Sequence, residues 1–137
     1  KHNLIITFFT DKRTNKKKNI DNNNNSSIHV YDKKKKIQVC IYGKANIESN
    51  NGVAKKYWKN LTDFSRLNYS LKNLPGSKVP SPSQVEFLKT EDGYNNFAVI
   101  NVTVYKIDWL YLSIQGNKRA QFVYNNNNDF KSVWLVP

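Results

Sequence analysis

Methionine is absent from the 137 residues, cysteine occurs once and arginine only three times. With Cys40 alone, no internal disulfide can form and no zinc site can be built on cysteines. No stretch approaches the roughly 18 apolar residues of a membrane span, and no signal-peptide pattern opens the chain. A cytoplasmic setting without a membrane partner is therefore expected. Since position 1 is Lys, a processed or trimmed form of a longer protein is also expected. The sequence has no G-x-G-x-x-G, no Walker loop, no H-E-x-x-H and no G-x-S-x-G. His2 and His29 stand far apart, without cysteines or paired carboxylates at ligand spacing, so no metal is expected. Cys40 falls mid-strand with no activating partner and reads as an inert thiol.

What is present is charge of one sign. The chain carries 22 basic and 10 acidic residues, a formal net charge of +12. The basic set is 19 Lys against Arg13, Arg66 and Arg119, and it accompanies 21 Asn, a bias that AT-rich codon usage produces without selection for charge. Arginine is the residue that reads phosphate and guanine bidentately, so its scarcity argues against a nucleic-acid partner. At 39% hydrophobic and 13% aromatic the chain can bury a core, and its length suits one domain spanning residues 1–137.

Patterning points to a mainly β fold. Asn3 to Thr10 is a short run rich in β-formers, followed by a polar turn and a basic helix over Asn15 to Asn22 with Thr14 at its N-cap. Ser27 to Tyr31 reads as a strand, Asp32 to Lys36 as a charged turn, and Ile37 to Tyr42 as a second strand continuing to Ile47 past a bulge at Gly43. In that strand Ile37, Val39 and Ile41 share one face, and Gln38, Cys40 and Tyr42 the other. Val53, Tyr57, Trp58, Leu61 and Phe64 fall at helical spacing, so Gly52 to about Tyr69 is one amphipathic helix or two short ones. Leu74 to Pro82 is a proline-punctuated loop. Strands are then expected over Asn96 to Tyr105, Ile107 to Ser113, Gln121 to Tyr124 and Val133 to Val136. At least six strands with few helices predict an antiparallel β-barrel carrying helical insertions.

Two local features carry chemistry. The strand-turn-helix from Phe8 to Lys16 puts a hydroxyl at a helix cap and a lysine in the first turn, which together suit an anion; an ordinary capped helix with a solvated basic face has the same pattern. Gln38 is an amide on a strand otherwise suited to burial, fitting either solvent or the edge of a ligand.

Five segments, in order and spacing, resemble the pyridoxamine 5'-phosphate oxidase-like family and especially its flavin-binding relatives. They are Phe8-Phe9-Thr10-Asp11-(x2)-Thr14-x-Lys16, Ile37-Gln38-Val39-(x3)-Gly43-Lys44-Ala45, Asn96-Phe97-Ala98-Val99, Ile107-Asp108-Trp109-Leu110-Tyr111-Leu112 and the closing Trp134-Leu135-Val136-Pro137. The resemblance implies an FMN-binding split β-barrel, normally a homodimer with flavin at the subunit interface, and an oxidoreductase acting on a small-molecule substrate. By position, Phe9 and Thr10 would line the flavin, Thr14, Asn15 and Lys16 would meet its phosphate, and Gln38 and Gln121 would contact the ring system. Tyr57 and Ser65, on what the resemblance makes one helix, and Arg119 would lie on the substrate side. Trp109 and Tyr111 would pack the dimer-facing barrel.

The chain departs from the family at several of these positions. Asn15 stands where the family usually has Arg, Gln121 replaces an Arg that precedes Phe122, and Leu61 falls where a substrate-phosphate Arg is expected. The family's substrate-side Arg and His fall near Asn117 and Arg119. The family also has further strands, with an Arg-rich phosphate motif, before the first strand seen here. A non-catalytic flavin- or cofactor-binding module is the alternative these departures leave open.

Overall fold

A computed structural model of the chain describes residues 4–124 and 129–137. His2 and Asn3, the first residue of the expected opening strand, lie outside them. Six strands are described: β1 (Ile5–Asp11), β2 (Asn25–Asp32), β3 (Ile37–Glu48), β4 (Phe97–Tyr111), β5 (Lys118–Tyr124) and β6 (Phe130–Leu135). Three α-helices accompany them: α1 (Asn15–Asn22), α2 (Gly52–Lys59) and α3 (Asp63–Leu67). The strands pair in the order β2-β3-β4-β5-β6, with β1 also on β4. This is the mainly β fold with few helices that the patterning predicts.

The chain divides into two compact units, one built chiefly from Asn24–Ala45 and Val102–Pro137, the other from Thr7–Asn23 and Asn46–Asn101. In the first, β2 and β3 form an antiparallel hairpin in unbroken register from Asn25↔Lys44 to Asp32↔Ile37. The bulge expected at Gly43 is therefore not in this pairing. Gly43 is needed for another reason: a Cβ there would lie 2.6 Å from the Thr103 carbonyl oxygen and run into Val102 Cγ1, so only a residue without a side chain lets the backbones approach. The two strands expected on either side of Lys106 are one, β4, of 15 residues. Lys106 does not interrupt it, because its ammonium sits 4.0 Å from the centre of the Tyr42 ring, a favourable place for a charge on a strand. β4, β5 and β6 follow in antiparallel register, with Trp109↔Ala120 and Ala120↔Trp134.

The second unit is organised around an aromatic core. Ala54, Trp58, Phe97 and Val99 are buried together, with Tyr57, Leu61, Tyr69 and Tyr94 packed against them. The Phe97 ring meets Trp58 at 5.3 Å, Tyr69 edge-on at 5.0 Å and Phe9 at 5.3 Å, separations at which aromatic quadrupoles attract. The helical stretch breaks into two. Asn51 caps α2 by accepting from the Ala54 amide at 3.0 Å, and Thr62 caps α3 by accepting from the Ser65 amide at 3.2 Å. Arg66 closes the gap between them, donating to the carbonyls of Trp58 and Lys59 with its guanidinium 5.5 Å from the centre of the Trp58 ring. Tyr57 and Ser65 consequently lie on different helices, not on one.

Candidate functional site

In the second unit, the end of β1 turns into α1 through Asp11, Lys12, Arg13 and Thr14. Asp11 is buried, and its carboxylate accepts from the Arg13 amide at 2.8 Å and from Arg13 Nη2 at 2.7 Å. Arg13 in turn donates to the Leu71 carbonyl at 2.8 Å. Its guanidinium is held above its ordinary pKa, first by the hydrogen bond to Asp11. Lys12 N donates to the Asn96 carbonyl at 2.8 Å, and Asn96 Nδ2 donates to the Tyr69 carbonyl at 2.9 Å. The turn is thus held from both sides by Asp11 and Asn96, which the motif segments contain without a role, and by Arg13, which they pass over; the Asp11-x-Arg13 spacing was the available signal for the pair.

Thr14 occupies the expected cap position with extended backbone, but its hydroxyl donates to the Asp11 carbonyl at 2.8 Å and does not cap the helix. No side chain caps α1, and no acidic residue stands in its first turn. Asn15 and Lys16 are exposed there. Thr10 is buried, with its hydroxyl 3.5 Å from the Asp11 carbonyl oxygen. Phe9 is partly exposed and packs its ring 5.4 Å from that of Tyr57. Ser65 is engaged locally, as its hydroxyl accepts from Thr62 Oγ1 at 3.0 Å. Leu61 packs against the aromatic core.

In the first unit, strand alternation brings Gln38, Cys40 and Tyr42 of β3 to a single pocket of about 430 Å³ with His29, Asp108, Leu110 and Arg119. His29 is directly opposite Cys40, and Gln121 directly opposite Asp108. Gln38, Arg119 and Gln121 thus share one face, as residues two apart on a strand must. Arg119 is not free within it. Its Nε and Nη2 donate to the two carboxylate oxygens of Asp108 at 2.9 and 2.6 Å. That hydrogen bond holds Asp108 below the usual carboxylate range and Arg119 above its own. Tyr42 is held above the ordinary phenol value, chiefly by its hydrogen bond with Cys40. Asp108 and His29 were not foreseen in this pocket, because the β2–β3 and β4–β5 registers are not written in either strand alone.

The opposite face of the same strands is aromatic. Trp109 stacks on Tyr111 at 6.3 Å and meets Trp134 edge-on at 6.4 Å. An apolar pocket of about 380 Å³ lies between Trp109, Phe122, Val133 and Trp134.

Residues 2–64 match the family model described as pyridoxamine 5'-phosphate oxidase like. A pyridoxamine 5'-phosphate oxidase-related, FMN-binding protein from Nostoc punctiforme PCC 73102 superposes with a TM-score of 0.79 at 19% identity, over 97% of this chain and 73% of that one. The fold is the split barrel of the pyridoxamine 5'-phosphate oxidase-like proteins. PhzG from Burkholderia lata 383, solved in complex with tetrahydrophenazine-1-carboxylic acid, shares it with a TM-score of 0.71 at 13% identity, over 96% of this chain and 68% of that one. No curated protein matches the chain. The family-model match contains the Phe8–Lys16 and Ile37–Ala45 segments that carry the resemblance; the three later segments lie outside it, in the part of the chain for which the likeness is one of fold. Among the described residues no helix is long and apolar enough to cross a membrane.

Proposed function

We propose that the chain binds FMN and works as an oxidase-like flavoprotein on a small-molecule substrate. The observation that carries this reading is the β1–α1 corner. A helix whose first turn has no side-chain cap and no acid, but has an exposed lysine, offers amides, dipole and charge to a phosphate. On that fit, Lys16 and the first amides of α1 hold the phosphate. Thr14, with its hydroxyl given to Asp11, fixes the turn that presents them. Phe9 and Thr10 are assigned the lining of this corner. When bound, the flavin supplies hydride and electron transfer, while the protein positions it and excludes competing reactions.

The identity of the substrate follows less closely from the family. Leu61 is committed to the core and Arg119 to Asp108, so neither supplies a ready partner for a substrate phosphate. This favours a substrate other than a pyridoxine phosphate. It also sustains the second reading, a flavin-binding module without turnover. A homodimer is part of the proposal, supported by the exposed aromatic face of β6, where Trp134 is 74% exposed. So is a cytoplasmic setting, which suits the single free Cys40.

The test is turnover of the FMN-loaded protein: peroxide formation with amine substrates, and flavin reduction by a nicotinamide donor. Turnover that falls in Lys16→Ala supports the enzyme. Tight FMN binding without turnover under any donor selects the binding module.

A further inference from the structure

Four consecutive lysines, Lys33 to Lys36, form the tip of the β2–β3 hairpin, and all four are exposed. The backbone that carries them is ordered. The Asp32 carboxylate accepts from the amides of Lys34 and Lys35, each at 2.9 Å, and Lys36 takes the left-handed conformation with φ 55°. The Lys36 carbonyl accepts from the Leu112 amide at 2.9 Å, which fastens the β4–β5 turn beside the tip. That second turn is ordered as well, through Ser113 N to Asn117 Oδ1 at 3.1 Å and Gly116 N to the Ser113 carbonyl at 3.1 Å. It holds Ile114 98% exposed. The only acid in either turn is Asp32, whose Oδ1 is taken by the two amides.

We propose that this end of the unit, the lysine tip with Ile114 beside it, docks on an anionic phospholipid surface. The charge is complementary to such a surface, and lysines attract it at a distance without needing bidentate geometry. A fixed, fully exposed isoleucine gains from the bilayer interface and gains nothing from a phosphodiester backbone, which is why lipid fits better than nucleic acid. A contact of this kind needs no membrane-spanning segment. It is also independent of the flavin reading, since none of these residues is assigned to cofactor or substrate.

The test is sedimentation of the full chain with phosphatidylcholine vesicles, alone or containing about a third phosphatidylserine. Binding at least about a hundredfold tighter to the anionic vesicles, weakening with salt, is expected. The variant Lys33→Gln/Lys34→Gln/Lys35→Gln should lose about a hundredfold, about fivefold per lysine, and leaves the left-handed Lys36 in place. Ile114→Ser should lose about fivefold on vesicles while its affinity for a short DNA duplex is unchanged. Both variants should melt with the wild type, as every altered position is exposed. Equal binding to neutral and anionic vesicles, or full binding by either variant, overturns the proposal. Tighter binding to the duplex than to anionic vesicles replaces it with a nucleic-acid site.

Discussion

Arg119 grips the carboxylate of Asp108 with two parallel hydrogen bonds, Nε to Oδ1 at 2.9 Å and Nη2 to Oδ2 at 2.6 Å. The two residues are diagonal neighbours across β4 and β5, since Asp108 is opposite Gln121 and Arg119 opposite Leu110. Planar, bidentate pairing of this kind is the strongest form a side-chain ion pair takes.

Because Arg119 holds the Asp108 carboxyl below its ordinary value, the pair should leave a signature in acid. A depressed folded-state pKa contributes stability that is complete above the unfolded value and lost as pH falls through the folded one. Asp108→Asn should therefore melt lower than the wild type at neutral pH, with the difference shrinking below about pH 4. Melting temperatures of both proteins across pH 2 to 7 check this. A difference that stays constant into acid contradicts it.

Gly43 and Gly52 make opposite predictions. Gly43→Ala drives a methyl against the Thr103 carbonyl and Val102 and should destabilise by about 1–3 kcal/mol. At Gly52, the first residue of α2, a Cβ meets nothing within 4 Å. Gly52→Ala should stabilise by about 0.4–1 kcal/mol. Denaturant midpoints of the two variants should move in opposite directions.

Trp58 joins both short helices to the rest of the aromatic core, through Phe97, Tyr69 and Tyr94 and beneath the Arg66 guanidinium. Trp58→Ala should cost about 3–5 kcal/mol. That approaches the whole stability of many small domains, so the variant should show molten or unfolded near-UV circular dichroism at room temperature. A cooperative melt close to that of the wild type would count against this core.

The strand elements were legible because period-two alternation is strong in Ile37 to Tyr42, and the same alternation put Gln38, Cys40 and Tyr42 on one face. The misread details share a cause: local signals that only a neighbour resolves. Gly43 looks like a bulge in its own strand, and only the approach of Thr103 shows why it is glycine. Lys106 looks like a break until the Tyr42 ring is beneath it. The apolar spacing from Val53 to Phe64 left one helix or two open, and the hydroxyl cap Thr62 ahead of Asp63-Phe64-Ser65 is the local cue for two; only the resemblance placed Tyr57 and Ser65 on one. At the candidate site, the α1 start was readable from Thr14 and Lys16. The engagement of Arg119 was not, since it depends on the β4–β5 register.

The central claim is that the β1–α1 corner takes the phosphate of FMN. Its most direct test is titration of the protein with FMN and with riboflavin, which lacks the phosphate, followed by flavin fluorescence for the wild type and Lys16→Ala. The account predicts saturable binding of FMN by the wild type, weaker binding of riboflavin, and a loss of about 1.5–3 kcal/mol for FMN in Lys16→Ala, with riboflavin unaffected. Equal affinity for FMN and riboflavin, or unchanged FMN affinity in Lys16→Ala, would contradict it.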